Sequence, residues 1–472
     1  MNHRAAVCGF LFACLVAAPA LAQEPERWRG IVDLSGAGAG ELEFFVTFAL
    51  DGEPPSATIS IPAQAARDLP LADVVYTDSR IEFTLAAAVA AVFTADREGG
   101  SATGTLNQGA EFPLTMERVA EGEAPAAPNR PQTPQAPFPY ESRDVSYTNP
   151  LEGNTIAGTL TLPAATGPHP AALLITGSGS QDRDETIFEH KPFWVIADYL
   201  SRRGIAVLRV DDRGVGGSDG AREGLTSEDF AGDVAAGGAF LRSQGEIDSR
   251  RIGVIGHSEG GLIGPMVAAA DPSIAFVVML AGPGVTGAKL LKVQNEMILG
   301  AAGMPDDYVA KQIELQLSLW QAMTSEMGED VVDERLGTLL DFQLSSLPAN
   351  ERELARDNAF AAAKAQATSA WLRFFLVTDP AVYLEKVRAP VLALNGTLDL
   401  QVSAEQNLPA VQAALARGGN TDVTIQRLEQ LNHLFQQATT GQVGEYGTIE
   451  ETFSPAALEI MAVWLSERVG GR

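Results

Sequence analysis

A serine between glycines is the residue with the clearest capacity for chemistry in this sequence. Ser258 lies in the segment Gly256–Gly260, between an apolar run at 252–255 and an Ala-rich stretch. Strand, tight turn and helix in this order form the G-x-S-x-G arrangement that exposes a serine hydroxyl as a nucleophile. Glycines allow the sharp turn, and the N–H groups of the following helix face negative charge that develops beside the serine. We therefore predict that Ser258 is a nucleophile.

A second copy of the same pattern surrounds Ser218, in the segment Gly216–Gly220. Ser218 lies several residues past its predicted strand, and no helical pattern follows it at once. The strand–turn–helix context that the motif requires is absent. We interpret this copy as a Gly-rich loop.

A serine hydroxyl becomes a good nucleophile only when a base takes its proton and a third group orients that base. Beyond residue 22 the chain has four histidines. We expect His169 in a surface loop, His190 in a capping or surface position, and His257 in a packing role. His433 follows the last predicted strand directly, and we predict that it is the base.

The orienting carboxylate is predicted one strand earlier. Asp399 lies in a Gly-containing loop after the apolar run 391–395. Ser258, Asp399 and His433 then occur in an order that distinguishes this kind of triad from those of other serine enzymes. All three follow predicted strands, and the carboxyl ends of parallel strands meet at one edge of a sheet.

Acyl transfer also needs donors for the negative oxygen of the transition state. We expect these to be the backbone N–H of Glu259 and that of Ser178, which lies in the Gly-rich loop 177–180 after a predicted strand. The loop lacks the G-K-[ST] and G-x-G-x-x-G patterns of nucleotide sites. We expect no metal ion and no organic cofactor.

Residues 140–472 alternate between strands and helices, which is typical of an α/β fold with a mostly parallel sheet flanked by helices. A helical insertion at 285–384 interrupts this rhythm. In it, Val309, Ile313, Leu317 and Trp320 are spaced to lie on one helix face. We expect this stripe to form the core of the insertion; the alternative is a lid that lines an acyl pocket.

Residues 23–120 have the alternating pattern and turn residues of antiparallel strands, and we predict a small all-β sandwich or barrel. We expect an accessory role for this domain, with ligand or surface binding as the alternative. Residues 121–139 are rich in Pro and Ala and predict an extended linker. Length alone also favours two domains.

Residues 1–22 have the basic start, apolar centre and Ala-x-Ala end of a cleavable signal peptide. We therefore expect export to the periplasm or medium after cleavage near Ala22; a lipoprotein signal ending at Cys14 is the alternative. Cleavage removes both cysteines, Cys8 and Cys14, and with them any thiol chemistry. No later apolar run approaches the ~20 residues that span a bilayer.

The formal net charge of −27 argues against nucleic acid as a partner, because such binding depends on Lys and Arg. We expect a small-molecule ester as the partner. The sequence leaves the oligomeric state open.

Residues 140–472, the catalytic half of the chain, resemble the α/β-hydrolase superfamily. Within it, the chain is similar to secreted bacterial serine esterases that have a β-rich N-terminal domain and a helical cap between the sixth and seventh strands. The resemblance implies an ester hydrolase that forms an acyl-enzyme. The leucines and methionines of the insertion suggest small to medium acyl groups. Thr176 stands before Gly177 where the family commonly has His-Gly. The matching segments are 177–179, 181–184, 211–216, 256–261, 395–399 and 432–433.

Two other functions stay open. The same triad serves aminopeptidases and amidases, whose pockets usually carry carboxylates for a substrate amine. Glu326, Glu329 and Asp330 in the insertion are candidates for that role, although a solvated helix end explains them more simply. A non-catalytic binding protein on a hydrolase scaffold is the remote alternative.

Overall fold

The computed structural model describes residues 25–470 except 34–40, 51, 53, 63–65, 87–89, 109–110, 121–127, 326 and 346–348. The predicted signal peptide at 1–22 and Glu326 lie outside the described residues. Among the helices that the structure describes, none is long and apolar enough to cross a membrane.

The N-terminal domain is one antiparallel sheet of nine strands. The sheet curls round its own core, since Trp28 of the first strand donates a hydrogen bond to Tyr76 of the fifth, at 2.9 Å. Phe48 and Phe83, from the second and sixth strands, also meet edge to face in this core. The strands are β1 Glu26–Asp33, β2 Glu41–Ala49, β3 Ser56–Ile61, β4 Ala66–Pro70, β5 Ala72–Tyr76, β6 Arg80–Leu85, β7 Ala91–Glu98, β8 Ser101–Asn107 and β9 Glu111–Val119, in the spatial order β4-β3-β2-β1-β9-β8-β7-β6-β5.

The described second half of the predicted linker is fastened to the catalytic half. Arg130 donates hydrogen bonds to the carbonyls of Phe188, Gly447 and Ile449. Gln132 accepts from the backbone N–H of Phe453. Residues 128–139 therefore pack on the domain that follows them and do not form a free spacer.

The catalytic half confirms the predicted α/β fold. Its sheet of eight strands is parallel except at one edge, where an opening hairpin pairs antiparallel with the next strand. Apolar side chains cover both faces of the sheet. The strands are β10 Tyr140–Thr148, β11 Thr155–Pro163, β12 His169–Ile175, β13 Ala206–Val210, β14 Ile247–His257, β15 Val277–Leu280, β16 Val391–Gly396 and β17 Val423–Leu428, in the order β10-β11-β13-β12-β14-β15-β16-β17.

Helices connect the parallel strands, and one more follows the last strand. The helices that begin at Pro192 and Pro455 have proline in the first turn, where its missing N–H costs nothing. The predicted helical insertion lies between β15 and β16. The helices are α1 Pro192–Ser201, α2 Ser227–Ser243, α3 Gly260–Ala270, α4 Gly287–Ala301, α5 Asp306–Thr324, α6 Glu329–Gln343, α7 Ala349–Thr368, α8 Ala370–Val377, α9 Ala381–Leu384, α10 Ala404–Arg417 and α11 Pro455–Val469.

Helices α4 to α8 form a cap with an apolar cluster of its own. The prediction that four apolar residues of α5 share one buried face is wrong at one position. Ile313 and Trp320 are buried, but Leu317 is 39% exposed. A helix turn of 3.6 residues lets either residue 316 or residue 317 follow Ile313 on the inner face, and in the structure Gln316 lines the interior.

Candidate active site

The turn at Ser258 has the strained backbone of a nucleophile elbow. Strand β14 ends at His257 and helix α3 begins at Gly260, and Ser258 between them has a φ of +53°. A non-glycine residue in this region costs roughly 1–3 kcal/mol, and functional sites are where such conformations cluster. A Cβ on Gly260 would lie 2.2 Å from the carbonyl oxygen of Ile175, so only glycine allows α3 to pack this close to β12.

Asp399 and His433 form a direct pair. His433 Nδ1 lies 2.8 Å from Asp399 Oδ2, and Asp399 is 1% exposed. The other carboxylate oxygen accepts from the backbone N–H groups of Gln401 and Val402, each at 2.8 Å. Because the carboxylate is fixed as an acceptor, Nδ1 carries the proton and Nε2 is left with a free lone pair.

Ser258 and His433 line the same cavity, which has a volume of about 270 Å³. The described residues show no hydrogen bond between Ser258 Oγ and His433. Contacts between nucleophile and base are often long without substrate and tighten when it binds. The structure thus joins Asp399 and His433 directly and places His433 and Ser258 on the wall of one cavity.

The Gly-rich loop after β12 approaches the elbow closely. A Cβ on Gly177 would lie 3.2 Å from that of Ser258. The N–H of Gly177 donates to Glu185 Oε1 at 2.7 Å and is therefore not free for a substrate. In the described part of the chain, the N–H groups of Ser178 and Glu259 have no protein acceptor. These are the two donors that the sequence predicts for the oxyanion.

Asp212 holds both ends of this loop. Its Oδ1 accepts from the Thr176 hydroxyl at 2.7 Å, and its Oδ2 accepts from the N–H of Gln181 at 3.0 Å. Arg222 donates to the carbonyl of Gly179 and also contacts Asp212. Burial raises the pKa of Asp212 to about 6, although its hydrogen bonds oppose the shift. The loop is thereby fixed by a carboxylate beneath it.

His257 links the base to the same loop, a role that the sequence prediction of simple packing missed. Its Nε2 lies 2.9 Å from the carbonyl oxygen of His433 and its Nδ1 lies 3.0 Å from Glu185 Oε1. Burial opposes protonation of His257, but the carboxylates of Glu185 and Asp399 and the hydrogen bonds outweigh it and raise the pKa of His257. A chain of contacts therefore runs from the N–H of Gly177 through Glu185 and His257 to the backbone of His433.

The side chain of Glu259 ties the elbow to the cap. Its Oε1 accepts from Ser227 Oγ at 2.6 Å and from Trp371 Nε1 at 2.8 Å. Ser227 begins helix α2, and Trp371 lies on helix α8 of the cap. The residue after the nucleophile thus contributes its side chain to structure, while its N–H stays free.

Two other histidines differ from expectation. His190 is fully buried, with Nδ1 2.8 Å from Thr452 Oγ1, and burial lowers the pKa of His190 to about 4. His169 begins strand β12 and is also buried, so it does not lie in a surface loop. Both predictions failed because single positions beside turns carry no periodic signal of burial.

Ser218, the serine of the second motif, has a structural role. Its Oγ donates to the carbonyl of Asp211 at 2.8 Å and accepts from the N–H of Ala157 at 2.9 Å.

Among the residues that the structure describes, no group of three or more His, Cys, Asp or Glu could hold a metal ion.

Residues 192–437, more than half of the chain, match the sequence profile of the family described as serine aminopeptidase S33. The chain belongs to this family of α/β hydrolases. The matched region includes Ser258, Asp399 and His433, and the membership confirms the superfamily that the motifs predicted.

A characterised relative is Esterase EstD of Thermotoga maritima, 25% identical over 346 residues, which are 73% of this chain and 69% of that protein. Solved structures with similarity include the α/β hydrolase GrgF of Penicillium sp. sh18, with a TM-score of 0.44 and 18% identity over 70% of this chain and 100% of that one. An esterase of Pyrococcus furiosus has a TM-score of 0.43 and 16% identity, over 70% and 92% of the two chains.

Proposed function

We propose that this hydrolase cleaves carboxylic esters through an acyl-enzyme on Ser258. The observation that carries the proposal is the buried Asp399–His433 pair, 2.8 Å apart, whose histidine lines the same cavity as the strained Ser258. Similarity to an esterase supports the class of substrate.

The proposed reaction has two steps. Ser258 Oγ attacks the ester carbonyl while His433 Nε2 takes its proton, and the N–H groups of Ser178 and Glu259 bind the resulting oxyanion. His433 then gives the proton to the departing alcohol as the carbon–oxygen bond breaks. Water, deprotonated by His433, attacks the acyl-enzyme and releases the acid. Asp399 holds the neutral imidazole in the tautomer with a free Nε2 and stabilises the imidazolium that forms in each step.

An ester is favoured over an aminoacyl substrate by the acidic side chains of the cavity. Glu185 and Glu259 are the acidic residues among the described ones that line it. Glu185 is bonded to Gly177 and His257, and Glu259 to Ser227 and Trp371. Each carboxylate is thereby engaged through its Oε1 in holding the oxyanion loop or the elbow in place.

The aminopeptidase alternative takes its support from the description of the family. Glu329 and Asp330, the two described candidates of the insertion, do not strengthen it. Glu329 and Asp330 are exposed in the first turn of α6, where carboxylates stabilise a helix N-terminus.

The cavity volume of about 270 Å³ supports small to medium acyl groups, since pockets for larger ligands span ~300–1,000 Å³. We also propose that the protein acts outside the cytoplasm, on the strength of the signal-like residues 1–22.

The test is hydrolysis of p-nitrophenyl acetate and butyrate by the wild type and by Ser258→Ala and Ser218→Ala. Loss of turnover in Ser258→Ala alone, with its unfolding midpoint preserved, is expected. Undiminished turnover in Ser258→Ala, or loss only in Ser218→Ala, contradicts the assignment. A parallel panel of aminoacyl p-nitroanilides separates the two substrate classes, because an aminopeptidase hydrolyses the anilides with the higher kcat/KM.

A further inference from the structure

The turn at residues 187–190 lies beside the active site and has an unusual backbone. Ile187 and His190 each donate their N–H to the carbonyl of the other, at 3.1 and 2.9 Å. The two residues between them, Phe188 and Glu189, have φ angles of +50° and +61°. Positive φ at both central positions is typical of type I′ turns, which strongly prefer Asn and Gly there. Phe and Glu are strained in this conformation, which persists only where its surroundings hold it.

Arg130 of the linker holds the carbonyl at the centre of this turn. Its Nη2 and Nε donate to the Phe188 oxygen at 2.9 and 3.3 Å. The same guanidinium donates to the carbonyls of Gly447 at 2.8 Å and Ile449 at 3.0 Å. The planar fork of an arginine holds several acceptors in fixed directions, which the ammonium group of a lysine does not. Arg130 therefore joins the strained turn to a second segment of the catalytic half.

The turn supports the oxyanion loop through its neighbour in the chain. Glu185, whose φ of +52° is also positive, is 5% exposed. Its Oε1 accepts from the N–H of Gly177 at 2.7 Å and lies 3.0 Å from His257 Nδ1. Ile187 of the turn itself lines the cavity of Ser258. A displaced turn would therefore move both a wall of the cavity and the carboxylate that holds the oxyanion loop.

The second segment leads to the carboxylate of the triad. Tyr446, directly before Gly447, is fully buried, and its hydroxyl accepts from Gln401 Nε2 at 3.2 Å. The backbone N–H of Gln401 donates to Asp399 Oδ1 at 2.8 Å. His190 at the end of the turn also bonds to this segment, since its Nε2 lies 3.0 Å from the Tyr446 carbonyl oxygen. The two segments that Arg130 joins thus lead, by hydrogen bonds, to the oxyanion loop and to Asp399.

Attachment of the linker does not depend on Arg130. Gln132 exchanges hydrogen bonds with the backbone of Phe453, at 2.7 and 2.9 Å. Asn129 Nδ2 donates to Glu450 Oε2 at 2.9 Å. Neither set of hydrogen bonds reaches the strained turn, whereas those of Arg130 do. The place of this arginine is therefore explained by what it holds.

We propose that Arg130 is a positioning residue of the active site, which keeps the turn 187–190 and the segment 446–449 in the arrangement that hydrolysis needs. Arg130 is not among the described residues that line the cavity of Ser258. It acts through Glu185 on one side and through Gln401 on the other. The proposal rests on the proposed ester hydrolysis, and it gives the linker a part in catalysis besides joining two domains.

The test compares Arg130→Ala with Asn129→Ala in the full chain. Both variants lose hydrogen bonds of the linker, but Arg130→Ala also releases the turn. Steady-state kinetics on p-nitrophenyl butyrate are measured with millimolar guanidinium chloride, and with sodium chloride at the same concentration as the salt control. Guanidinium can enter the space of the missing fork and restore its hydrogen bonds.

We expect Arg130→Ala to lower kcat about tenfold or more and to change KM less, because a displacement of ~1 Å in the site can cost up to about 10²-fold. Guanidinium should restore part of the lost kcat in this variant and leave Asn129→Ala and the wild type unchanged. An unchanged kcat in folded Arg130→Ala overturns the proposal. A loss that guanidinium does not restore, or an equal loss in Asn129→Ala, overturns it as well.

Thermal unfolding midpoints show which variants are folded at the assay temperature. If Arg130→Ala does not fold, Arg130→Lys keeps the positive charge without the fork and must lower kcat with KM preserved. Full activity of that variant then overturns the proposal.

Failure of the proposed ester hydrolysis is distinguishable, because the wild type itself would then not turn over p-nitrophenyl butyrate through Ser258. In that case the rate at which a fluorophosphonate labels Ser258 takes the place of kcat. Slower labelling in Arg130→Ala supports the positioning role, and an equal rate overturns it.

Discussion

The imidazole Nε2 of His257 lies 2.9 Å from the backbone carbonyl oxygen of His433, and a carbonyl can only accept. The residue before the nucleophile therefore donates a hydrogen bond to the main chain of the base. On its other side His257 contacts Glu185, which also accepts from Gly177 in the oxyanion loop. The buried pair of His257 and Glu185 thereby positions both the base His433 and the oxyanion loop.

His257→Phe keeps a ring in this space but removes both N–H donors. We expect kcat to fall up to about 10²-fold, because a displacement of ~1 Å at the base can cost that much. KM should change less, since both ring nitrogens of His257 are bound to protein groups and its role is to position the base. Steady-state kinetics on p-nitrophenyl butyrate check this, with circular dichroism as the folding control. An equal change in KM with kcat preserved would argue against positioning.

Glu185→Gln keeps a side chain that can accept from Gly177 but removes the charge beside His257. The pKa of His257 is raised in the folded wild type, so its protonation stabilises the fold below the ordinary value of 6.5, and this contribution is lost as pH rises through the raised pKa. Without the Glu185 carboxylate, burial lowers the pKa of His257. The loss of unfolding free energy in the variant should therefore be larger at pH 5.5 than at pH 9 in urea titrations. A pH-independent loss would contradict the pairing.

Asp212→Asn tests the carboxylate beneath the oxyanion loop. Burial raises the pKa of Asp212 from 3.8 to about 6, so the folded wild type binds an extra proton between these values. This group makes the wild type lose stability as pH rises from about 4 to 7, by roughly 3 kcal/mol. The variant lacks the titration, and its stability relative to the wild type should rise over the same range. A difference in unfolding free energy that stays flat with pH would exclude the raised pKa.

Much of this architecture was predictable because it depends on local patterns. The apolar runs 252–255 and 391–395 predicted strands that the structure has as β14 and β16, and the context of the elbow separated Ser258 from Ser218. Chain order then selected Asp399 and His433, which the structure places 2.8 Å apart.

The contacts that position the site were not predictable in the same way. Glu185 and His257 meet across 72 residues, and Trp371 reaches Glu259 across 112. Such contacts depend on how elements pack, which a single sequence does not encode locally. The choice between Gln316 and Leu317 on α5 failed for a related reason, since helical period allows both and the apolar residue was the natural choice. Three acidic residues among positions 182–185, soon after the oxyanion loop, were the available signal for Glu185.

The central claim is that Ser258 forms a covalent acyl-enzyme. The most direct measurement is peptide mass spectrometry after rapid acid quench of the enzyme with p-nitrophenyl butyrate, repeated with a fluorophosphonate. We predict one butyryl or phosphonyl group on the peptide that contains Ser258, and none in Ser258→Ala. Modification of Ser218 instead, or turnover with no adduct at any serine, would contradict the account.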